Sequence, residues 1–410
     1  MNGKRRIVVV GIGFRSPIGN TIDELRNSLH QQRSGIRRMP EWDRIGNLRS
    51  KVAGVCEGVD ESVVPRRFRR SMGRVGILSA LAAQDAIEDS GLETDFIASG
   101  QCGISFGSTS GSSQAMEEYL DRVLSTRSLK GLPSSGYLKF MSHTCAANLA
   151  VMFNAKGPVI ASCTACVSGS QGIGFGCEAI REGRATAMIA GGAEEMHFMD
   201  AAVFDVMMAT STKFNDRPDR TPRPFDADRD GLVVAEGAAV LILEDYEHAR
   251  SRGARIYGEV LGYATNCDGE HLTNPSQDGM FSVMEKALKD ADLPPEEIGY
   301  VNAHATATEA GDLAESNATN RIFGERVPVS SLKGYMGHTL GACGAIESIA
   351  TMLMMNEGFI APTYNLENPD PALASLDHVM GDVRKLDFSV AMNNNFAFGG
   401  INTSLILGKA

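Results

Sequence analysis

Short apolar runs alternate with helical patterns along the whole chain, and this alternation limits the possible folds more than any other feature. Residues 7–10 form an apolar run closed by Gly11 and Gly13, which predicts a buried strand followed by a turn. Thr21 and Glu24 form a capping box that predicts a helix start. Further expected elements are helices over 76–90 and after 166, and strands over 102–106, 159–162 and 185–190. The alternation predicts an α/β sheet with helices on both faces.

The same style of alternation begins again after the midpoint of the chain. The second cycle comprises strands over 255–260, 300–303 and 327–331, helices over 280–291 and 341–355, and paired strands over 388–392 and 403–407. No Pro/Ser-rich linker separates the two cycles. The sequence therefore predicts two similar halves, 1–254 and 255–410, fused into one body.

Composition excludes several classes of protein. A chain of 410 residues with 43% hydrophobic and 22% charged residues can bury a sizeable core. The formal charge of −11 disfavours nucleic acid as the main partner. Eight scattered cysteines form no secreted-type disulfide framework, so reduced thiols are expected. No apolar run reaches the length of a membrane span, and the basic N-terminus lacks a signal-peptide pattern. We expect a cytoplasmic protein.

Two weak motifs carry little weight. The segment from Gly11 to Gly13 imitates a dinucleotide fingerprint but lacks the third glycine. Cys163 and Cys166 form a CxxC pair, but no second pair stands at zinc-ligand spacing, and a redox motif would normally follow the first strand. We expect neither a bound metal nor a nucleotide cofactor.

Cys166 lies between a predicted strand, 159–162, and a helix rich in small residues. At such a turn, free backbone N–H groups and the helix dipole stabilise a thiolate. A buried structural cysteine is the more common role in general. The position at the turn favours a nucleophile.

Two histidines occupy settings similar to that of Cys166. His304 follows the apolar strand 300–303, and His338 directly precedes the helix predicted from 341. Open α/β sheets place their sites at the carboxyl ends of strands. A lone histidine in a loop is usually structural, whereas two histidines and a cysteine in matching places form a candidate catalytic set.

Five segments resemble those of β-ketoacyl-acyl-carrier-protein synthases, the elongating class I/II condensing enzymes of the thiolase superfamily. They occur in the order of that family, from mid-chain almost to the C-terminus. The segments are Thr164-Ala165-Cys166, residues 223–231 with Glu236-Gly237, residues 304–308 with Gly311-Asp312, Lys333 with residues 337–344 and Glu347, and residues 394–402.

This resemblance implies a fold, a reaction and roles for particular residues. The fold is the thiolase fold, in which two similar halves form a layered α-β-α-β-α body. The reaction is decarboxylative Claisen condensation of an acyl group on Cys166 with malonyl thioester, and it needs no cofactor beyond the carrier's phosphopantetheine. The implied set comprises the catalytic residues Cys166, His304, His338, Lys333 and Glu347, the oxyanion and gating residues Phe398, Phe396 and Gly399, and the pantetheine-binding residues Thr306 and Thr308.

The resemblance also implies partners. Acyl carrier protein is acidic, and Arg67 and Arg70 match basic docking positions, with Arg127 and Lys130 as a second group. Arg67 and Arg70 belong to an arginine cluster that comprises Arg66, Arg67, Arg69, Arg70 and Arg74. The alternative interpretation of this cluster is a solvated helix face with charge partners elsewhere. Members of the family are dimers, so we expect a homodimer or a heterodimer with a paralogous synthase or chain-length subunit.

Some positions depart from the family pattern. These are Ala305, Ala307 and Glu309 in the first histidine segment, and Asn395, Ala397 and Ile401 in the glycine loop. They favour a dedicated synthase for an aryl-polyene or other polyketide-like chain as an alternative to fatty-acid synthesis. Two further alternatives are a coenzyme-A-dependent thiolase, which would need a late second cysteine, and a non-catalytic chain-length subunit, which would lack the active-site cysteine.

Overall fold

A computed structural model describes residues 4–410 of the chain. The strands are β1 (Ile7–Arg15), β2 (Ile36–Arg38), β3 (Val52–Gly54), β4 (Cys102–Gly107), β5 (Val159–Ser162), β6 (Ala187–Glu194), β7 (Gly237–Asp245), β8 (Gly258–Cys267), β9 (Tyr300–Asn302), β10 (Pro328–Ser330), β11 (Phe359–Ile360), β12 (Asp377–His378), β13 (Arg384–Lys385), β14 (Val390–Ala397) and β15 (Ile401–Gly408).

The α-helices of the same residues are α1 (Ile22–His30), α2 (Arg66–Arg69), α3 (Arg74–Ser90), α4 (Thr94–Ala98), α5 (Ser113–Thr126), α6 (Thr144–Phe153), α7 (Ser168–Arg181), α8 (Phe198–Val206), α9 (Tyr246–Ser251), α10 (Gln277–Ala291), α11 (Glu309–Phe323), α12 (Lys333–Met336) and α13 (Cys343–Glu357). None of them is long and apolar enough to cross a membrane. The first three residues of the basic N-terminal segment lie outside the described residues.

The two halves share one strand order. In the first half five strands are in the order β5-β4-β6-β7-β1, and in the second the five corresponding strands are in the order β10-β9-β14-β15-β8, with β12 as an additional edge strand beside β10. Numbered within each half, both orders are 3-2-4-5-1, with the same parallel and antiparallel pairings. The predicted similarity of the halves is therefore confirmed at the level of topology. The predicted division at 254/255 falls in the connection between α9 and β8.

The halves join through a short antiparallel pairing of β1 with β8, which links the strands of both halves into one continuous hydrogen-bonded sheet. Successive residues of β1 face different cores: Ile7 and Val9 pack in the central cluster with α7 and α13, whereas Val8 and Val10 pack beneath α3 and α6. A third cluster lies between α10, α11 and the second-half strands. The resulting layers run helix, sheet, helix, sheet, helix, as the thiolase fold implies.

The first strand differs from the prediction. The turn expected at residues 11–13 does not form, and β1 continues to Arg15 with a bulge near Val9. Gly11 and Gly13 are needed for another reason, because a Cβ at either position would overlap the backbone of α3. These glycines allow the helix to pack directly on the strand.

Candidate active site

A strained turn presents Cys166 at the start of α7. The residue follows β5 and a short loop, and Ala165 before it has φ = 50°, a left-handed conformation that is costly for a residue with a Cβ. The Ser168 hydroxyl holds this turn, since it accepts from Thr164 N (2.9 Å) and donates to the Ala165 carbonyl (2.7 Å). Such stored strain is typical of functional turns, and here it directs the sulfur into a cavity.

Both predicted histidines converge on Cys166. His338 Nε2 lies 2.9 Å from Cys166 Sγ, and the rings of His304 and His338 pack edge to face with centroids 5.1 Å apart. One ligand-type atom from each of the three residues lies within 4.8 Å of the others. Glu315 holds the His304 loop, because its carboxyl oxygens accept from His304 N (2.8 Å) and Ala305 N (2.6 Å).

Lys333 and Glu347 form a fully buried ion pair behind the histidines. Lys333 Nζ lies 2.5 Å from Glu347 Oε1, and neither side chain is exposed. Burial alone would lower the pKa of the Lys333 ammonium, but the carboxylate of Glu347 outweighs this effect and raises it. The pair therefore places a fixed positive charge near the site, whose field reaches Cys166 and both histidines.

The electrostatics of Cys166 correct one expectation. Burial raises the pKa of its thiol to about 12, although Lys333 and the backbone N–H groups of Cys166 and Phe398 act in the opposite direction. The free enzyme therefore holds a thiol at neutral pH, because desolvation outweighs the effect of the turn. Burial and the nearby Lys333 ammonium hold the pKa of His304 and His338 well below the usual range, so both imidazoles are neutral.

A cavity of about 540 Å³ leads from solvent to Cys166. Thr306, Thr308, Phe396 and Phe398 line it, together with both histidines. Gly399 is not among its lining residues; its N–H donates to the Leu272 carbonyl (2.7 Å) and its φ of 88° favours glycine. The ring of Phe398 packs on Phe204, 5.2 Å between centroids, and this aromatic pair lines the same cavity as Cys166.

The predicted docking residues lie on the surface. Arg67 and Arg70, in and just after α2, are exposed and form no ion pair with any residue of 4–410; Arg127 and Lys130, just after α5, are exposed as well. Another arginine of the same cluster behaves differently: Arg74 binds the buried carboxylate of Glu236 at 2.6 Å. The cluster is thus divided between one structural arginine and cationic groups facing solvent.

Sequence reasoning assigned no role to three buried polar residues of the site, although Asp312 and Asn395 lie in segments that resemble the family. Glu315 supports the His304 loop, Asp312 accepts from Phe225 N (2.7 Å) and Ala307 N (3.1 Å), and Asn395 contacts Glu347. Asp312 and Glu315 stand three residues apart at the start of α11, so their spacing could have indicated two acidic side chains on one face of this helix. Asn395 offered only its departure from the family pattern, because its contacts come from distant segments.

Among residues 4–410, the group of Cys166, His304 and His338 has the donors and spacing to hold a metal ion. Cys163 does not join it: that residue is exposed, and its sulfur lies 2.9 Å from the Thr109 carbonyl. The CxxC spacing therefore does not bring the two thiols into one site.

Comparisons with known proteins agree with this geometry. Residues 4–249 match the family described as "Beta-ketoacyl synthase, N-terminal domain", and residues 257–367 match the corresponding C-terminal domain. The chain belongs to the β-ketoacyl synthase family and is an acyl-transferring condensing enzyme.

Individual relatives cover nearly the whole chain. The 3-oxoacyl-[acyl-carrier-protein] synthase 1 of Haemophilus influenzae is 37% identical over 99% of both chains. A β-ketoacyl synthase structure from Burkholderia phymatum is 46% identical with a TM-score of 0.96, covering 99% of this chain and 100% of that one. A type II polyketide synthase acyl carrier protein in complex with its ketosynthase, bound to a hexaketide, matches at 30% identity and a TM-score of 0.90, with 99% and 100% coverage.

Proposed function

We propose that this chain is a β-ketoacyl-acyl-carrier-protein synthase that loads an acyl chain onto Cys166 and condenses it with malonyl thioester. The observation that carries the proposal is the 2.9 Å contact between Cys166 Sγ and His338 Nε2 at the inner end of the cavity, with His304 beside it. Each step below uses the chain's own groups and its thioester substrates.

The first half-reaction is acyl transfer. Cys166 Sγ attacks the thioester carbonyl, His338 Nε2 accepts the thiol proton, and this proton passes to the departing pantetheine sulfur. The N–H groups of Cys166 and Phe398 lie close enough to affect the Cys166 thiol, and they would also stabilise the oxyanion of the tetrahedral intermediate. Removing one such donor typically costs about 10²–10³ in rate.

The second half-reaction is decarboxylation followed by condensation. The carboxylate–carbon bond of the malonyl group breaks, CO₂ leaves, and its electron pair forms an enolate on the thioester. His304 and His338, each as the tautomer that carries its proton on Nε2, donate to the enolate oxygen and stabilise it; for His338 this tautomer replaces the Nδ1–H form that accepted the Cys166 proton. The enolate carbon then attacks the acyl-Cys166 carbonyl, the carbon–sulfur bond breaks, and Cys166 leaves as a thiolate that takes up one proton from solvent.

The remaining predicted residues take supporting roles. Thr306 and Thr308 line the cavity where a pantetheine arm would enter, and their hydroxyls lie 3.1 Å apart. Lys333 and Glu347 maintain the field around the histidines. Phe398 packs on Phe204 in the lining of the cavity that holds Cys166, which suits a gate between the acyl pocket and the malonyl site.

A carrier protein and a second subunit are the proposed partners. The unpaired arginines of the α2 region suit the acidic surface of acyl carrier protein, and they would steer it towards a chain of net charge −11. In residues 4–410, β5 pairs with β4 only, and Val159 and Ala161 on its edge are exposed. An uncovered edge strand favours pairing with a homologous subunit, in a homodimer or a heterodimer. We propose a cytoplasmic location.

Intact-mass spectrometry tests the nucleophile. The wild-type protein and Cys163→Ala, an exposed thiol three residues away, should each gain one acyl group from acyl-carrier-protein substrates, whereas Cys166→Ala should gain none. No adduct on the wild type with any acyl chain, alone or with a candidate partner subunit, would overturn the proposal. The preferred chain in the same panel separates fatty-acid from aryl-polyene or polyketide-type synthesis.

A charge-reversal pair tests the docking surface. Arg67→Glu with Arg70→Glu should raise KM for carrier-bound substrate, more strongly at low salt, and leave the reaction with a small soluble thioester unchanged. Arg255→Glu is the matched control. Arg255 is exposed and lies just before β8, whereas Asp268, in the cavity wall, follows the opposite end of that strand. The control therefore reverses a surface charge away from the cavity. Equal effects of both changes on carrier-bound substrate would contradict the docking assignment.

A further inference from the structure

Asn395 lies where the buried ion pair meets the catalytic histidines. It lies on β14, is fully buried, and contacts groups from three other segments. Its side-chain nitrogen lies 2.8 Å from Glu347 Oε2 and 3.5 Å from His304 Nδ1, and its side-chain oxygen lies 2.5 Å from the Ser170 hydroxyl. No other side chain in residues 4–410 hydrogen-bonds to both Glu347 and His304.

The orientation of this amide is fixed by its partners. A carboxylate accepts hydrogen bonds and cannot donate them, so the NH₂ group must face Glu347. The oxygen then faces the Ser170 hydroxyl, which donates to it. Gly344 provides the space, because a Cβ at that position would overlap both Asn395 Oδ1 and Ser170 Oγ.

The second amide hydrogen of Asn395 is left for His304 Nδ1. One competing acceptor, Cys343 Sγ, also lies 3.5 Å away, but a thiol sulfur accepts more weakly than an imidazole nitrogen. The distance to His304 is long for a hydrogen bond, as is common for catalytic contacts before substrate binds. A donor at Nδ1 requires a lone pair there, so the single proton of a neutral imidazole must reside on Nε2.

We propose that Asn395 is a positioning residue that holds His304 as the Nε2–H tautomer and links its ring to the Lys333–Glu347 pair. This inference rests on the proposed function, since Nε2–H is the form that donates to the enolate oxygen. His338 differs, because its Nδ1 has no hydrogen-bonding partner in residues 4–410. No contact at Nδ1 therefore fixes the tautomer of His338, whose Nε2 faces Cys166 Sγ, and this suits a group that first accepts the Cys166 proton and later donates one.

The test compares Asn395→Leu with Asn394→Leu. Asn394 is adjacent and equally buried, but its amide contacts Met284 and touches no catalytic group. Acylation of the nucleophile by intact mass and CO₂ release from malonyl thioester by the acylated enzyme are measured separately. Asn395→Leu should keep the acylation rate within about threefold and lower CO₂ release by about 10–100-fold, the usual effect of losing a group that orients a catalytic residue. Asn394→Leu should keep the ratio of the two rates.

Each other outcome has a definite meaning. Equal loss of both rates in Asn395→Leu, or no loss, overturns the role of Asn395. Absence of acylation and CO₂ release in the wild type contradicts the proposed function instead. Nitrogen-15 NMR of labelled histidines, with a His304→Gln spectrum for assignment, tests the tautomer without any Asn395 variant. Protonated Nε2 on His304 supports the inference, and protonated Nδ1 overturns it.

Discussion

Removing the charge of Lys333 should destabilise the protein far more than removing an exposed cation. Lys333→Met leaves the Glu347 carboxylate buried and without its cation, whereas both side chains of the native pair are inaccessible to solvent. Breaking such a pair from one side typically costs about 3–5 kcal/mol. An unfolding entropy of about 2.1 cal/mol/K per residue gives roughly 0.86 kcal/mol/K for a chain of this length, so the apparent Tm should fall by about 3–6 °C.

The double variant Lys333→Met/Glu347→Gln separates the ion pair from the packing. It removes both charges and keeps an amide oxygen that accepts from Asn395, so most of the lost stability should return. Arg326→Met is the control: its ion pair with Glu296 spans 3.3 Å, and both side chains are more than half exposed. An exposed pair contributes about 0–1 kcal/mol, so its removal should move Tm by about 1 °C or less.

Calorimetry at pH 7.5 compares the wild type with Lys333→Met, Glu347→Gln, the double variant and Arg326→Met. The reasoning is refuted if Lys333→Met shifts Tm no more than Arg326→Met does, or if the double variant is less stable than the sum of its single changes predicts. In either case the buried pair would not be the coupled unit that its geometry indicates.

Three further outcomes follow from the buried groups. The rate of Cys166 alkylation by iodoacetamide should rise about tenfold per pH unit from pH 7 to 9.5, because burial raises the pKa of the thiol to about 12. A rate that is already constant near pH 7 would instead indicate a thiolate. Burial raises the pKa of Glu315 from 4.5 to about 8, so the folded state binds its proton more tightly than the unfolded state does. The free energy of unfolding should therefore fall as pH rises between these two values. Glu315→Gln removes the titrating group and should flatten the dependence of Tm on pH in thermal melts. Gly344→Ala should lose about 1–3 kcal/mol in denaturant titrations and most condensing activity, since its Cβ would displace Asn395; unchanged values would contradict the packing argument.

The sequence predicted most of the strands and indicated three candidate site residues that the structure brings together, because both depend on local signals. Apolar runs such as 102–106 and 159–162 correspond closely to β4 and β5. Cys166, His304 and His338 follow the ends of such strands, and strands of one sheet bring their ends together. These inferences required no knowledge of long-range packing.

The rest depended on tertiary structure. Gly11 and Gly13 indicated a turn, but they serve the close approach of a helix that begins about sixty residues later. The turn around Cys166 indicated a stabilised thiolate, whereas the degree of desolvation is set by the whole fold. Asn395 is separated by 225 residues from Ser170 and by 91 from His304, so nothing local reveals their contact.

The repeated strand order gives Cys166 and His338 equivalent positions in the two halves of the chain. Cys166 follows β5, the third strand of the first half, and His338 follows β10, the third strand of the second half. Each stands before the helix that enters the central layer, α7 or α13. The 2.9 Å contact between Cys166 Sγ and His338 Nε2 therefore joins topologically equivalent loops of the two halves. One loop carries a thiol and the other an imidazole. Neither half carries both groups, so the contact between Cys166 and His338 exists only because the two halves pack against each other.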